Sequence, residues 1–178
     1  MLVGWHDEFL NAPLVLLPYL TDARRRRGAT ADVTYVTNDT FAGQLIAEAG
    51  AGMGATMLTM KSTDDRKTKL RVLEEGFRRT GGLLIAADYG RPWFRARPTA
   101  WDLAKNARGC IVAFHIEASP AIAIGSRTHR GYLPVPFAHY RVHLSPPQFP
   151  SHANGAPMEA VTEWLWALRE SHSKRRRD

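Results

Sequence analysis

Short apolar runs alternate with longer stretches of helical periodicity along this chain of 178 residues. Apolar runs of four to six residues, bounded by glycines, are typical of buried parallel strands. Their alternation with helical segments predicts one α/β domain over residues 1–170, with a largely parallel central sheet flanked by helices. The predicted strands are 2–6, 33–37, 55–60, 83–87, 110–117, 121–124 and 138–144, and the predicted helices are 9–20, 40–50, 63–79, 99–107 and 158–170.

Three short segments with polar side chains close the apolar runs of three of these strands. They are Trp5-His6 after Leu2–Gly4, Lys61-Ser62 after Ala55–Met60, and Asp88-Tyr89-Gly90-Arg91 after Leu83–Ala87. In open α/β sheets, reactive groups gather beyond the carboxyl ends of the strands. The pattern therefore predicts that these three segments share one site, where a hydroxyl is deprotonated beside a phosphate.

Each of these residues has a chemical role and a structural alternative. His6 can accept a proton near neutral pH, although a single histidine is more often structural. Arg91 can bind a phosphate through two hydrogen bonds, or it can pair with Asp88 within a turn. Lys61 precedes a predicted helix N-terminus, which attracts anions, whereas Ser62 fits the helix cap better.

Composition limits the class of protein. The apolar fraction is 44%, which excludes a disordered chain, and the single cysteine, Cys110, excludes an internal disulfide. The longest apolar segment, 9–20, is too short and too interrupted to span a bilayer. His139 and His143 are separated by roughly 13 Å of strand, too far to share one ion. These observations predict a cytoplasmic protein with no bound metal or cofactor.

The net charge of +7 is concentrated in two blocks, the basic loop (Arg24–Arg27) and the basic tail (Lys174–Arg177). Such blocks favour an anionic membrane face or an acidic carrier protein as partner; the alternative is a solvated loop and a frayed end. Residues 171–178 are predicted to be a disordered tail. Nucleic acid is disfavoured, because the aromatic and arginine residues of 91–97 accompany no nucleic-acid-binding motif. The proposed membrane contacts are Arg24, Arg25, Arg26, Arg27, Lys174, Arg175, Arg176 and Arg177.

Five segments, in order, resemble the lysophospholipid acyltransferase superfamily and in particular one of its bacterial branches. The resemblance covers about residues 3–148 and implies a glycerolipid-acyltransferase-like fold. The segments are Trp5-His6, Gln44–Ala47, Met60–Thr63, Leu83–Pro92 and Thr128–Pro147.

This resemblance implies transfer of an acyl chain from a thioester donor, acyl-CoA or acyl carrier protein, to a hydroxyl of a lysophospholipid or related acceptor. His6 matches the histidine that deprotonates the acceptor. Asp88 and Arg91 match the acidic residue and the arginine of the acceptor-phosphate motif. Lys61 stands where a phosphate-binding arginine is expected, and the implied location is the cytoplasm or the inner membrane face.

The chain also departs from the family pattern. The carboxylate expected five positions after His6 is replaced by Asn11, and the acids expected in the second unit are replaced by Ala42 and Gln44. Ala113 replaces the proline of the late apolar motif. These losses support an alternative function, a catalytically impaired family member that binds anionic lipid.

Overall fold

A computed structural model describes residues 1–5, 12, 15–16, 22, 32–88, 94–124, 131–150 and 158–173. His6, Asn11 and Arg91, the basic loop and the basic tail lie outside the described residues, as does most of the predicted helix 9–20. No helix in the described part of the chain is long and apolar enough to cross a membrane.

The described residues form one α/β domain around a six-stranded sheet, which confirms the predicted class. The strand order is β3-β2-β4-β1-β5-β6; the first five strands run parallel, and β6 is antiparallel to β5. The strands are β1 (Leu2–Gly4), β2 (Asp32–Asn38), β3 (Thr56–Met60), β4 (Gly81–Ala86), β5 (Val112–Ile124) and β6 (Gly131–Leu144). The helices are α1 (Phe41–Gly52), α2 (Arg66–Thr80), α3 (Pro98–Asn106) and α4 (Met158–Ser173).

The alternating side chains of the strands build a separate core on each face of the sheet. In β4, Leu83 and Ile85 join the core that α2, α3 and α4 cover, whereas Leu84 joins the opposite core. The opposite core includes Phe114 from β5, and Ile46 from α1 packs against it. The apolar β4 run is therefore buried on both sides, as its sequence predicts.

The edge hairpin differs from the prediction. Two separate stretches, 110–117 and 121–124, were expected, but β5 runs continuously from Val112 to Ile124 with a register shift between Ser119 and Ala121. Its partner β6 begins at Gly131, well before the predicted start at 138. The ladder between β5 and β6 continues on both sides of the irregularity, so Pro120 interrupts the pairing without ending the strand.

The start of α2 also differs from the prediction. Ser62 was expected to cap a helix starting at 63, but the helix begins at Arg66 and its cap is Asp65. The Asp65 carboxylate accepts hydrogen bonds from the Thr68 backbone N–H at 2.8 Å and from its hydroxyl at 3.0 Å. A carboxylate two or three residues before a backbone N–H is a strong cap, and Ser62 makes a different contact, described below.

Candidate active site at the carboxyl edge of the sheet

The strand order places two of the predicted site residues at one edge of the sheet. Asp88 follows β4 and Lys61 follows β3, and these parallel strands are separated only by β2. Two strand spacings correspond to ~10 Å. Strand β1 is the other neighbour of β4, with Gly4 paired to Ala86 and the Ala87 N–H donating to the Gly4 carbonyl at 2.8 Å. Trp5 and Asp88 therefore leave the sheet from neighbouring strands.

Asp88 is fully buried, with 0% of its surface exposed. Its Oδ2 accepts a hydrogen bond from the Phe94 backbone N–H at 2.7 Å. The adjacent Ala87 carbonyl accepts from the Arg97 N–H at 2.8 Å. Together these bonds hold Phe94 and Arg97 at the end of β4. Asp88 thus positions Phe94, because its buried carboxyl group accepts the hydrogen bond of the Phe94 backbone N–H.

Trp5, Phe94 and Trp166 form an aromatic cluster next to this edge. The ring centroids of Trp5 and Phe94 are 5.7 Å apart, and Trp166 lies 5.4 Å from each. The Arg169 guanidinium lies 5.6 Å from the Phe94 centroid and 5.5 Å from the Trp166 centroid, within cation–π range. The cluster packs Trp5, which follows β1, and Phe94, which follows β4, against Trp166 of α4.

Phe94 has a positive φ of 57°, which a bulky residue rarely adopts. The hydrogen bond to Asp88 and the two ring contacts hold it in this conformation. Trp5 is 1% exposed, and its indole Nε1 has no hydrogen-bond partner in the described part of the chain. The surface next to β1 is therefore formed by apolar aromatic rings and one buried hydrogen-bond donor, the indole N–H of Trp5.

Asp39 and Ser62 connect the ends of β2 and β3. The Ser62 N–H donates to Asp39 Oδ1 at 3.0 Å, and the Ser62 hydroxyl donates to Oδ2 at 3.2 Å. These bonds lower the pKa of Asp39, the backbone bond most strongly, with Lys69 adding a smaller attraction. Lys69 Nζ in turn donates to the Ser62 carbonyl at 3.2 Å. Ser62 is therefore part of the edge, not of the helix cap, while Lys61 beside it is exposed.

A cavity of about 460 Å³ opens at the same edge, between the beginnings of α2 and α3. Its three basic residues, Arg66, Lys69 and Arg97, were not predicted to lie together. A signal was present, because Arg66, Lys69, Leu70 and Leu73 recur at the i, i+3, i+4, i+7 spacing of one helix face. The lining consists of Met60, Arg66, Lys69, Leu70, Leu73, Ile85, Arg97, Pro98 and Thr99.

Two histidines of the hairpin, His115 and His143, lie side by side. His143 pairs across the strands with His115, with the rings stacked at 5.9 Å, and its Nε2 lies 3.6 Å from Glu117 Oε2. Within the described residues, no group of three or more histidine, cysteine or acidic side chains is placed to hold an ion.

No protein-family model matches this chain, and no match was found among curated proteins or solved structures.

Proposed function

We propose that this protein is an acyltransferase, which moves an acyl chain from a thioester donor to a hydroxyl of a lysophospholipid or related acceptor. The observation that carries the proposal is the strand order. It sets β4 beside β1 and one strand from β3, so that Asp88 and Lys61 follow parallel strands at one edge. The resemblance of five segments to lysophospholipid acyltransferases supports the same reaction.

His6 is the general base in this proposal. It takes the proton of the acceptor hydroxyl while the hydroxyl oxygen attacks the thioester carbonyl carbon and forms the new C–O bond. The C–S bond of the resulting tetrahedral adduct then breaks, and the leaving thiolate receives the proton from the imidazolium. The products are the acylated acceptor and the free thiol of coenzyme A or acyl carrier protein, so no additional cofactor is needed.

Lys61 and Arg91 bind the acceptor phosphate in this proposal, and Asp88 is a positioning residue. The Asp88 carboxylate is buried and bonded to the Phe94 N–H, which supports a role in holding the segment that carries Arg91. The exposure of Lys61 supports a role for its ammonium in contacting a charged ligand from solvent.

A second candidate is a lipid-binding protein that performs no transfer. The first turn of α1 contains no acidic residue, and Gln44 there donates its Nε2–H to the Asp39 carbonyl at 3.2 Å. The amide thus makes a structural bond where the family carries an acid. This observation favours the loss of one catalytic carboxylate, and a transfer assay separates the two candidates.

The test is transfer of a labelled acyl group from acyl-CoA and from acyl carrier protein to a panel of lysophospholipids. We expect transfer by the wild type and a rate lower by roughly 10²–10⁴-fold in His6→Gln. His139→Gln, a change at an exposed histidine of β6, is the matched control and should leave the rate unaltered. Equal rates in wild type and His6→Gln would eliminate the proposed base. Absence of transfer by the wild type with every donor and acceptor would favour the lipid-binding protein.

A further inference from the structure

We infer that the cavity between α2 and α3 is a binding site for a single-chain anionic amphiphile, a molecule with one alkyl chain and a phosphate or carboxylate head. A lysophospholipid, the acceptor in the proposed reaction, belongs to this chemical class, but the inference concerns binding at residues to which the reaction assigns no role, and it is tested without that reaction. It depends on the juxtaposition of an apolar floor with three cationic side chains.

The floor of the cavity is apolar and already formed. Met60 projects from β3, Ile85 from β4 and Leu73 from α2. Their exposed fractions are 2%, 1% and 1%, respectively. Leu70 adds a half-buried side chain on the same helix face. A volume of about 460 Å³ lies within the range of ~300–1,000 Å³ that is usual for small-molecule sites. An alkyl chain can therefore be removed from water without a change in the core.

The polar part of the lining carries one sign of charge. Arg66, Lys69 and Arg97 line the cavity, and no acidic residue of the described ranges does. None of these three side chains makes a salt bridge with a carboxylate in the described ranges of the chain. Lys69 contacts a neutral acceptor, the Ser62 carbonyl. Lys69 is also attracted to the Asp39 carboxylate, which is not part of the described lining. The three cations together create a positive potential that an anionic head would neutralise.

The beginning of α3 adds donors to the same place. Pro98 occupies the first turn of this nine-residue helix, and Arg97 at its N-cap makes no side-chain cap bond. The first turn contains no acidic residue, and the Arg97 side chain does not cap its N–H groups as the Asp65 carboxylate caps α2. Thr99, in this turn, lines the cavity. An anionic head near Arg97 would meet both the guanidinium and the positive end of the helix.

The experiment is calorimetric titration of the intact protein with dodecyl phosphate below its micelle concentration. The comparison ligands are inorganic phosphate, which lacks the chain, and dodecyl maltoside, which lacks the charge. We expect saturable binding of dodecyl phosphate, weaker binding of both comparison ligands by at least tenfold, and a loss of affinity as salt rises. Equal binding of inorganic phosphate would show a simple anion site, and equal binding of dodecyl maltoside would show that the cations are not used. Either result, or no binding of dodecyl phosphate, would overturn the inference.

Variants locate the site. Lys69→Gln and Arg97→Gln should each weaken dodecyl phosphate binding by roughly tenfold, because each removes a charge-assisted hydrogen bond from a half-buried position. Lys67→Gln, an exposed position on the same helix outside the cavity lining, is the matched control and should bind like the wild type. Leu70→Glu should abolish binding by placing a negative charge beside the chain. Equal affinity in all four variants would remove the cavity as the site, and these results do not depend on whether acyl transfer occurs.

Discussion

Replacing Asp88 by alanine should destabilise the protein and release the segment that follows β4. The variant removes a fully buried carboxylate and leaves the Phe94 N–H, now bonded at 2.7 Å, without this acceptor. Loss of a partner from a buried donor costs about 1–3 kcal/mol. Asp88→Asn keeps a carbonyl oxygen that can accept the same hydrogen bond, so it should lose less, about 1 kcal/mol.

The assay is urea unfolding followed by far-ultraviolet circular dichroism, with tryptophan fluorescence as a second readout. Fluorescence reports the release of Phe94, because its ring contacts both Trp5 and Trp166. Asp64→Ala is the matched control, a carboxylate of the same edge for which no side-chain hydrogen bond is found among the described residues, and it should change the unfolding free energy by less than about 0.5 kcal/mol. An Asp88→Ala protein as stable as this control, with unchanged fluorescence, would refute the positioning role.

Three further predictions concern the packing of β1 against β5, the pH dependence of stability and the charged surface. Gly4→Ala should lower the unfolding free energy by about 1–3 kcal/mol in denaturant titrations, since a Cβ there would lie 2.5–2.8 Å from the Phe114 ring. Adding Phe114→Leu to the Gly4→Ala protein should recover part of this loss. A Gly4→Ala protein of wild-type stability would contradict the contact. The pKa of Asp39 is lowered in the folded state, so its stabilising effect is present above the unfolded value near 4 and disappears as pH falls through the folded value. Thermal melts should therefore show Asp39→Asn less stable than the wild type at pH 7, with the difference shrinking as pH falls below about 4. A difference independent of pH would contradict this. Neutralising the basic loop and deleting the basic tail together should abolish low-salt binding to anionic vesicles in a flotation assay, and binding that persists would exclude an electrostatic anchor.

The parallel part of the sheet could be predicted from sequence because its signals are local. In β4, the run Leu83–Ala86 is apolar on both faces, and Gly81 and Gly82 separate it from the helix before it. The order of strands could not be read in this way, because β4 lies between β1 and β2 through contacts distant in sequence. Placement of Lys61 and Asp88 at one edge followed from a general property of parallel sheets and did not require the strand order.

The cavity was not predicted, since it depends on two helix beginnings that meet only in the folded chain. Arg66 and Arg97 are 31 positions apart, and neither follows a strand directly. The cap of α2 was predicted wrongly because Ser62 and Asp65 are both good capping residues, and only the bond from Ser62 to Asp39 decides between them. In α1, Phe41, Leu45 and Ile46 recur at the spacing of one helix face, but Phe41 and Leu45 are 83% and 57% exposed while Ile46 packs inward. Periodicity identified this helix without specifying which part of its apolar surface meets the sheet.

The pH dependence of kcat/KM for acyl transfer tests the central claim most directly, that His6 is the general base at this edge. A histidine base gives a rate that falls as pH drops below about 6.5, because the protonated imidazole cannot accept the hydroxyl proton. We expect this limb in the wild type and its loss in His6→Gln, which should show a low residual rate without the same inflection. An unchanged inflection in His6→Gln would assign the titrating group to another residue and contradict the account.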